Sequence, residues 1–154
     1  MANVKINGDT IVSGSNLALK SLIGKYSPTL LWGTVDSLGL PGSPATINEG
    51  NYLTLTDKLS NYKVIRVDWR CTAYATMYKT DYFALQNMGS DMHFPCSAIE
   101  QRSVNFFLAS LVLELAASSL SGKSLRVAYN RYKSSSEAES TLNTNQIYCI
   151  WGYK

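Results

Sequence analysis

The sequence predicts an all-β chain, a β-sandwich or jelly roll preceded by a short hairpin-and-helix segment. Three observations carry that prediction. Strand-length stretches alternate apolar and polar residues, most cleanly over Tyr52-Leu53-Thr54-Leu55-Thr56 and from Tyr62 to Arg70. Polar clusters rich in Gly, Pro, Ser and Asn separate these stretches, as turns between strands require. Charged residues make up only 16% of the chain, against roughly 25% in ordinary soluble domains, while hydrophobic residues reach 45%. Hydroxyls and amides therefore wet the surface, and enough apolar material remains for a core. That balance excludes a highly charged helical protein and a disordered tail.

The chain of 154 residues divides into residues 1–28, an N-terminal linker segment, and residues 29–154, the sandwich. In the first, Asn7-Gly8 lies between two short alternating stretches and favours a type I′ hairpin turn. A short helix follows, with Ser15 as N-cap, Leu17 to Ile23 as its body and Gly24 after its end. Its leucines need a partner, either the sandwich or copies of themselves.

In the second, residues 29–36 read as the first strand, and Ser37 to Gly50 as a turn-rich connection holding Pro41 and Pro44. Tyr52 to Thr56 is a half-buried strand, and Asp57 to Asn61 a turn. From Tyr62 to Arg70, Ile65, Val67 and Trp69 share one face and Arg66, Asp68 and Arg70 the other. Cys71 to Phe83 is expected to continue as strand after a bend near Cys71 or Thr72. Gln86 to Pro95 is expected to be a loop. Ser103 to Leu115 is apolar on both faces and is assigned as strand because strands and a Ser-rich turn surround it. Leu125 to Tyr129 is a strand and Ser134 to Asn145 a polar loop. Gln146 to Tyr153 is the last strand, expected to turn Ile147, Cys149 and Trp151 the same way.

The net charge of +3 is small. Its densest basic group, Lys123, Arg126, Arg131 and Lys133, reads as a solvated strand edge and not as the stripe of a nucleic-acid binder. The run from Phe106 to Ala117 is broken by Ser110 and Glu114 and falls short of the roughly 20 residues of a membrane span. MANVKINGDT lacks the apolar stretch of a signal peptide. Cys71, Cys96 and Cys149 form no metal-binding spacing and read as three free, mostly buried thiols, with one disulfide and one free thiol as the alternative. Gly122-Lys123-Ser124 lacks the upstream glycine of a phosphate loop, and no cofactor motif is expected.

Chemistry is sparse. His93 is the one histidine, placed near Asp91 and Cys96; a Cys–His dyad or a metal site would need partners that this spacing does not supply. Glycan hydrolysis needs two carboxylates across a cleft. Glu114 is the acid best placed to be partly buried, and it reads as a strand-end residue or as the partner of Arg102 or Arg126. No enzymatic activity is expected. Tyrosine is the richer signal. There are ten, and Tyr74, Tyr78 and Tyr82 share one parity, outward if Ala73, Ala75 and Met77 face the core. An outward tyrosine offers a flat apolar face and a hydroxyl, suited to a sugar ring. It suits equally an interface between subunits or the rim of a core. Tyr129, Arg131 and Tyr132 form a second candidate surface, and Asp91 and His93 complete the set of candidate ligand-binding residues.

The order of three segments resembles a known family. Leu30-Leu31-Trp32 opens the sandwich; Tyr52-Leu53-Thr54-Leu55-Thr56-Asp57-Lys58-Leu59-Ser60-Asn61-Tyr62 follows; Ile147-Tyr148-Cys149-Ile150-Trp151-Gly152-Tyr153-Lys154 closes the chain. This is similar to the C-terminal receptor-binding domains of phage tail-fibre and minor structural proteins, over roughly residues 29–154. Ile6 to Val12 resembles the β-linkers that join fibre shafts to tips. Trp151 departs from the family, where a smaller residue is common, and Asp81 to Gln101 matches none of it. The resemblance implies a homotrimer with the Leu17 to Ile23 stretch near its axis. It implies attachment to a bacterial surface glycan, contact with other virion proteins through the N-terminus, and residence in the virion. Synthesis in the host cytoplasm and release on lysis would leave the cysteines reduced. A virion fibre or capsid or baseplate adaptor without any receptor is the alternative.

Overall fold

Antiparallel pairing organises the strands of this chain. The structure, a computed structural model, describes residues 4–6, 9–12, 27–72, 77–85, 92–102, 104–115, 121–136 and 141–154. In chain order the strands are β1 (Val4–Ile6), β2 (Asp9–Val12), β3 (Thr29–Gly33), β4 (Ala45–Thr46), β5 (Tyr52–Thr54) and β6 (Val64–Cys71). They continue as β7 (Met77–Ala84), β8 (His93–Arg102), β9 (Asn105–Leu115), β10 (Ser124–Ser134), β11 (Thr141–Leu142) and β12 (Asn145–Tyr153). β1 and β2 form the expected hairpin, with Ile6 opposite Asp9. Its Asn7-Gly8 turn and the helix expected over Leu17 to Ile23 lie outside the described residues.

The other strands form two five-stranded sheets. In the first, β12 is central: β6 flanks one edge and β3 and β4 share the other, with β7 beyond β6. In the second, β10 is central: β9 and then β8 lie on one side, β5 and β11 on the other. The inner faces share one core. Leu31, Ile65, Val67, Trp69, Ile147 and Ile150 enter from the first sheet, and Phe94, Leu111, Leu113, Leu125, Val127 and Tyr132 from the second. That is the layering of a β-sandwich.

The alternation read from Tyr52 to Thr56 and from Tyr62 to Arg70 holds. Leu53 and Leu55 are buried, as are Ile65, Val67 and Trp69. Ser103 to Leu115 is largely strand, and the polar turn after Thr56 closes with a short 3-10 turn, Leu59–Asn61. Cys71, Cys96 and Cys149 are buried and form no disulfide bond. The final strand carries nine residues, Asn145–Tyr153.

Four expectations need correction. Cys71 to Phe83 is not one bent strand: the chain reverses, and β7 pairs back on β6 from Cys71 opposite Met77 to Val64 opposite Ala84. The reversal satisfies the free edge of β6 and sets Phe83 edge-on to Phe94, 5.5 Å between centroids. His93 and Pro95 are in strand β8, not in a loop. β8 ends its sheet, where a missing N–H is tolerated, and Phe94 and Cys96 fill the core. β10 runs to Ser134, well past Tyr129, and the polar segment after it contributes β11.

The fourth concerns the last strand. Ile147 faces the core, but Cys149 and Trp151 face outward with Tyr148. The register slips between Ile147, opposite Trp69, and Cys149, opposite Asp68, leaving Tyr148 as an extra residue. One inserted residue inverts the parity of everything after it.

Gly152 shows how tightly the end of β12 is packed. A Cβ there would meet the Tyr62 ring at 2.4 Å. Tyr62 is buried and donates its hydroxyl to Asp57 Oδ2 at 3.0 Å. The ring has little room to retreat, so Gly152→Ala is expected to lower stability by about 1–3 kcal/mol, measured as a shifted urea midpoint.

Candidate functional site

The outer face of the first sheet is built in rows across its strands. One row holds Leu30, Trp151, Arg66 and Tyr82; the next holds Gly33, Cys149, Asp68 and Thr80. A third sets Gln146 beside Arg70 and Tyr78, with Tyr148 thrust out by the bulge. Polar and aromatic side chains thus share the outer face of a sheet whose other face enters the core.

Asp68 organises the centre. Its side chain is only 7% exposed. Oδ2 accepts from Arg66 Nη2 at 2.8 Å and from Trp151 Nε1 at 2.8 Å, and Oδ1 accepts from Thr80 Oγ1 at 2.8 Å. The same guanidinium lies over the Trp151 ring, 5.1 Å from its centroid, and donates to the Tyr153 hydroxyl at 3.1 Å. Desolvation opposes its charge, but Asp68 outweighs that and raises the Arg66 pKa above its ordinary value. Arg70 repeats the pattern, over the Tyr148 ring at 5.5 Å and bonded to Gln146 Oε1 at 2.7 Å.

Two rings stand out from this base. Tyr78 is 58% exposed and Tyr82 61%. Tyr78 stacks on Tyr148 with centroids 4.6 Å apart, and Tyr82 leans on Tyr153 at 6.4 Å. Desolvation of its hydroxyl and its hydrogen bond to Tyr148 raise the Tyr78 pKa, so that the hydroxyl stays protonated well into the alkaline range. Both rings therefore offer an exposed face on a fixed support, with Arg66 opposite Tyr82 and Arg70 opposite Tyr78 on the neighbouring strand. Such a surface can stack against flat apolar faces and donate hydrogen bonds at their rims.

The structure does not bring all the candidate ligand residues together. Tyr78 and Tyr82 belong to this face. Tyr74 and Asp91 lie outside the described residues. His93, Tyr129 and Arg131 are on the outer face of the other sheet. There Arg131 lies over the Tyr129 ring at 5.0 Å and pairs with Glu49 at 3.2 Å. Arg66, Arg70, Tyr148, Trp151 and Tyr153 were missing from the set. The alternation already turned Arg66 and Arg70 outward, whereas the bulge hid Tyr148 and Trp151.

Groups with catalytic potential are set apart. His93 points outward, 3.4 Å from Glu114, and Glu114 also takes Arg126 at 2.6 Å. Cys96 points into the core, and burial pushes its thiol pKa up, away from the reactive thiolate. Asp68 and Asp81 lie on opposite faces of the first sheet, and each holds an indole: Asp81 Oδ2 accepts from Trp69 Nε1 at 2.7 Å. Among the described residues no cluster of His, Cys, Asp or Glu could hold a metal ion.

The second sheet's outer face differs in kind. Ile99 is 74% exposed and lies opposite Leu108, with Phe106 opposite Gln101 in the next row. These side chains form an exposed apolar strip bordered by Lys133 and Arg131. No family model matches this chain, and no curated protein is detectably similar to it.

Proposed function

We propose that this chain is a non-catalytic fibre-tip domain of a bacterial virus, binding a glycan of the bacterial surface through the outer face of the first sheet. The observation that carries the proposal is the pair of exposed rings, Tyr78 and Tyr82, held on a base of Arg66, Asp68, Arg70, Tyr148 and Trp151. Sugar rings present flat C–H faces edged by hydroxyls, and this surface presents the complementary groups. The support is preorganised, so little side-chain entropy is lost on binding. The resemblance to phage fibre domains supplies the setting: a virion, a homotrimer, and attachment to other virion proteins through the N-terminal hairpin.

The apolar strip of Ile99, Phe106 and Leu108 supports self-association on the opposite face. In a trimer, three weak sites gain avidity without tight single-site affinity. The same strip would serve a structural adaptor with no receptor, so both properties are measured together. Light scattering is expected to give about 51 kDa, three times the 17.0 kDa chain. Fluorescently labelled protein is expected to adsorb to some members of a panel of bacterial strains and to be displaced by their extracted surface polysaccharide. A trimer that adsorbs to none of them would favour the adaptor.

A further inference from the structure

We infer that a groove beside this face is a subsite for one neutral pyranose ring, the terminal or branching residue of a bound glycan; the inference rests on the glycan reading above. The groove has a volume of about 380 Å³, near the lower end of the roughly 300–1,000 Å³ typical of small-molecule sites. Leu31 and Ala45 contribute apolar surface to it and Trp32 an aromatic one. Around them stand four hydroxyl residues, Thr34, Ser43, Thr54 and Thr56. Thr56 donates to the Leu30 carbonyl at 2.8 Å. The hydroxyls of Thr34, Ser43 and Thr54 have no hydrogen-bond partner among the described residues.

The lining carries no charged side chain. Its chemistry therefore fits neither an anion nor a cation, and it matches a ring with apolar faces and a rim of hydroxyls. The chain path holds the groove open. Gly33 has φ +99°, and a Cβ on it would meet the Tyr148 carbonyl oxygen at 2.2 Å. The chain leaves β3 there, crosses to Pro41 and returns through Gly42, whose N–H donates to the Thr34 carbonyl at 2.8 Å. That excursion sets Thr34 and Ser43 as one wall, and β5 of the other sheet supplies Thr54 as the opposite one. Tyr148 both lines the groove and stacks on Tyr78, so the groove is continuous with the tyrosine face.

The test uses the full chain and the methyl glycosides of glucose, galactose, mannose and N-acetylglucosamine, with longer oligosaccharides of each. Trp32 is partly exposed, while Trp69 and Trp151 are buried, so the part of a fluorescence change that Trp32→Phe removes reports on the groove. At least one methyl glycoside is expected to change it, with a Kd in the millimolar range. Ser43→Tyr, on the exposed rim, is expected to weaken that binding about tenfold or more by filling the groove. Trp32→Phe is expected to remove the fluorescence change, and nuclear magnetic resonance then reads the residual binding. Tyr78→Ala is expected to weaken oligosaccharide binding more than methyl-glycoside binding. Oligosaccharide binding that survives Ser43→Tyr unchanged, or no methyl-glycoside binding at all alongside intact oligosaccharide binding, overturns the subsite and leaves the glycan reading standing. No binding of any sugar overturns both.

Discussion

Asn130→Ala is expected to destabilise the protein by about 3–5 kcal/mol. Asn130 is fully buried. Its Nδ2 donates to the Ile47 carbonyl at 2.6 Å and to the Asn145 carbonyl at 2.9 Å, and its Oδ1 accepts from the Asn145 N–H at 2.9 Å. Asn145 in turn donates through Nδ2 to the carbonyls of Ser110 and Arg131, at 2.9 and 3.0 Å. Asn130 and Ser110 belong to the second sheet and Asn145 to the first, so the two amides tie the sheets together at one end of the core. Alanine would orphan two buried acceptors and one buried donor, each worth about 1–3 kcal/mol when unsatisfied. Urea unfolding checks this. A lower midpoint at unchanged slope is expected; loss of less than about 1 kcal/mol would mean that water replaces the amide.

Asp68→Ala is expected to cost about 3 kcal/mol and to disorder the proposed binding face as well. It removes the common acceptor of Arg66, Trp151 and Thr80. The indole N–H is then left buried without a partner. The Arg66 guanidinium, whose side chain is 23% exposed, can recover solvent by swinging away. That partial exposure sets the estimate at the low end of the range for breaking a buried ion pair. Once Arg66 moves, the Trp151 ring loses its cation and Tyr153 its hydrogen bond, so polysaccharide binding is expected to fall about tenfold even where the variant stays folded. Near-ultraviolet circular dichroism of the tryptophans, measured with thermal melting, checks both effects. Asp68→Asn keeps the size and one acceptor and is expected to retain part of each.

Much of this fold was legible because its strands alternate. From Ile65 to Trp69 the period of two is unbroken, and the core and solvent faces follow from it. The β6–β7 reversal was not legible. The residues between the strands, Thr72-Ala73-Tyr74-Ala75-Thr76, include no Gly, Pro, Asn or Asp to mark a turn, so the sequence does not distinguish a hairpin from one long strand. β8 was missed for another reason. Pro95 and the polar residues around His93 imitate a loop, and only the edge position of the strand makes them compatible with it. Nothing in the local sequence marks Asn130 and Asn145 as buried; the sheet-to-sheet bridge that they form depends on contacts 14 residues apart and more.

The candidate site was half legible. Tyr78 and Tyr82 were found by parity, and Arg66 and Arg70 were placed outward by the same rule. Tyr148 and Trp151 escaped because a bulge adds one residue after Ile147, and nothing local marks it. The same bulge places the stacking partner beneath Tyr78 and the indole beneath Arg66. The residues that parity missed are therefore those that support the ones it found.

The most direct measurement is isothermal titration of a bacterial surface polysaccharide that binds the chain against the wild type and the Tyr78→Ala/Tyr82→Ala variant. Both rings are more than half exposed and neither belongs to the core cluster, so the variant is expected to melt within about 2 °C of the wild type. Loss of the two stacking faces is expected to cost about 2 kcal/mol or more, a fall in affinity of about thirtyfold. Unchanged affinity in the folded double variant would contradict the account and place glycan recognition elsewhere on the chain.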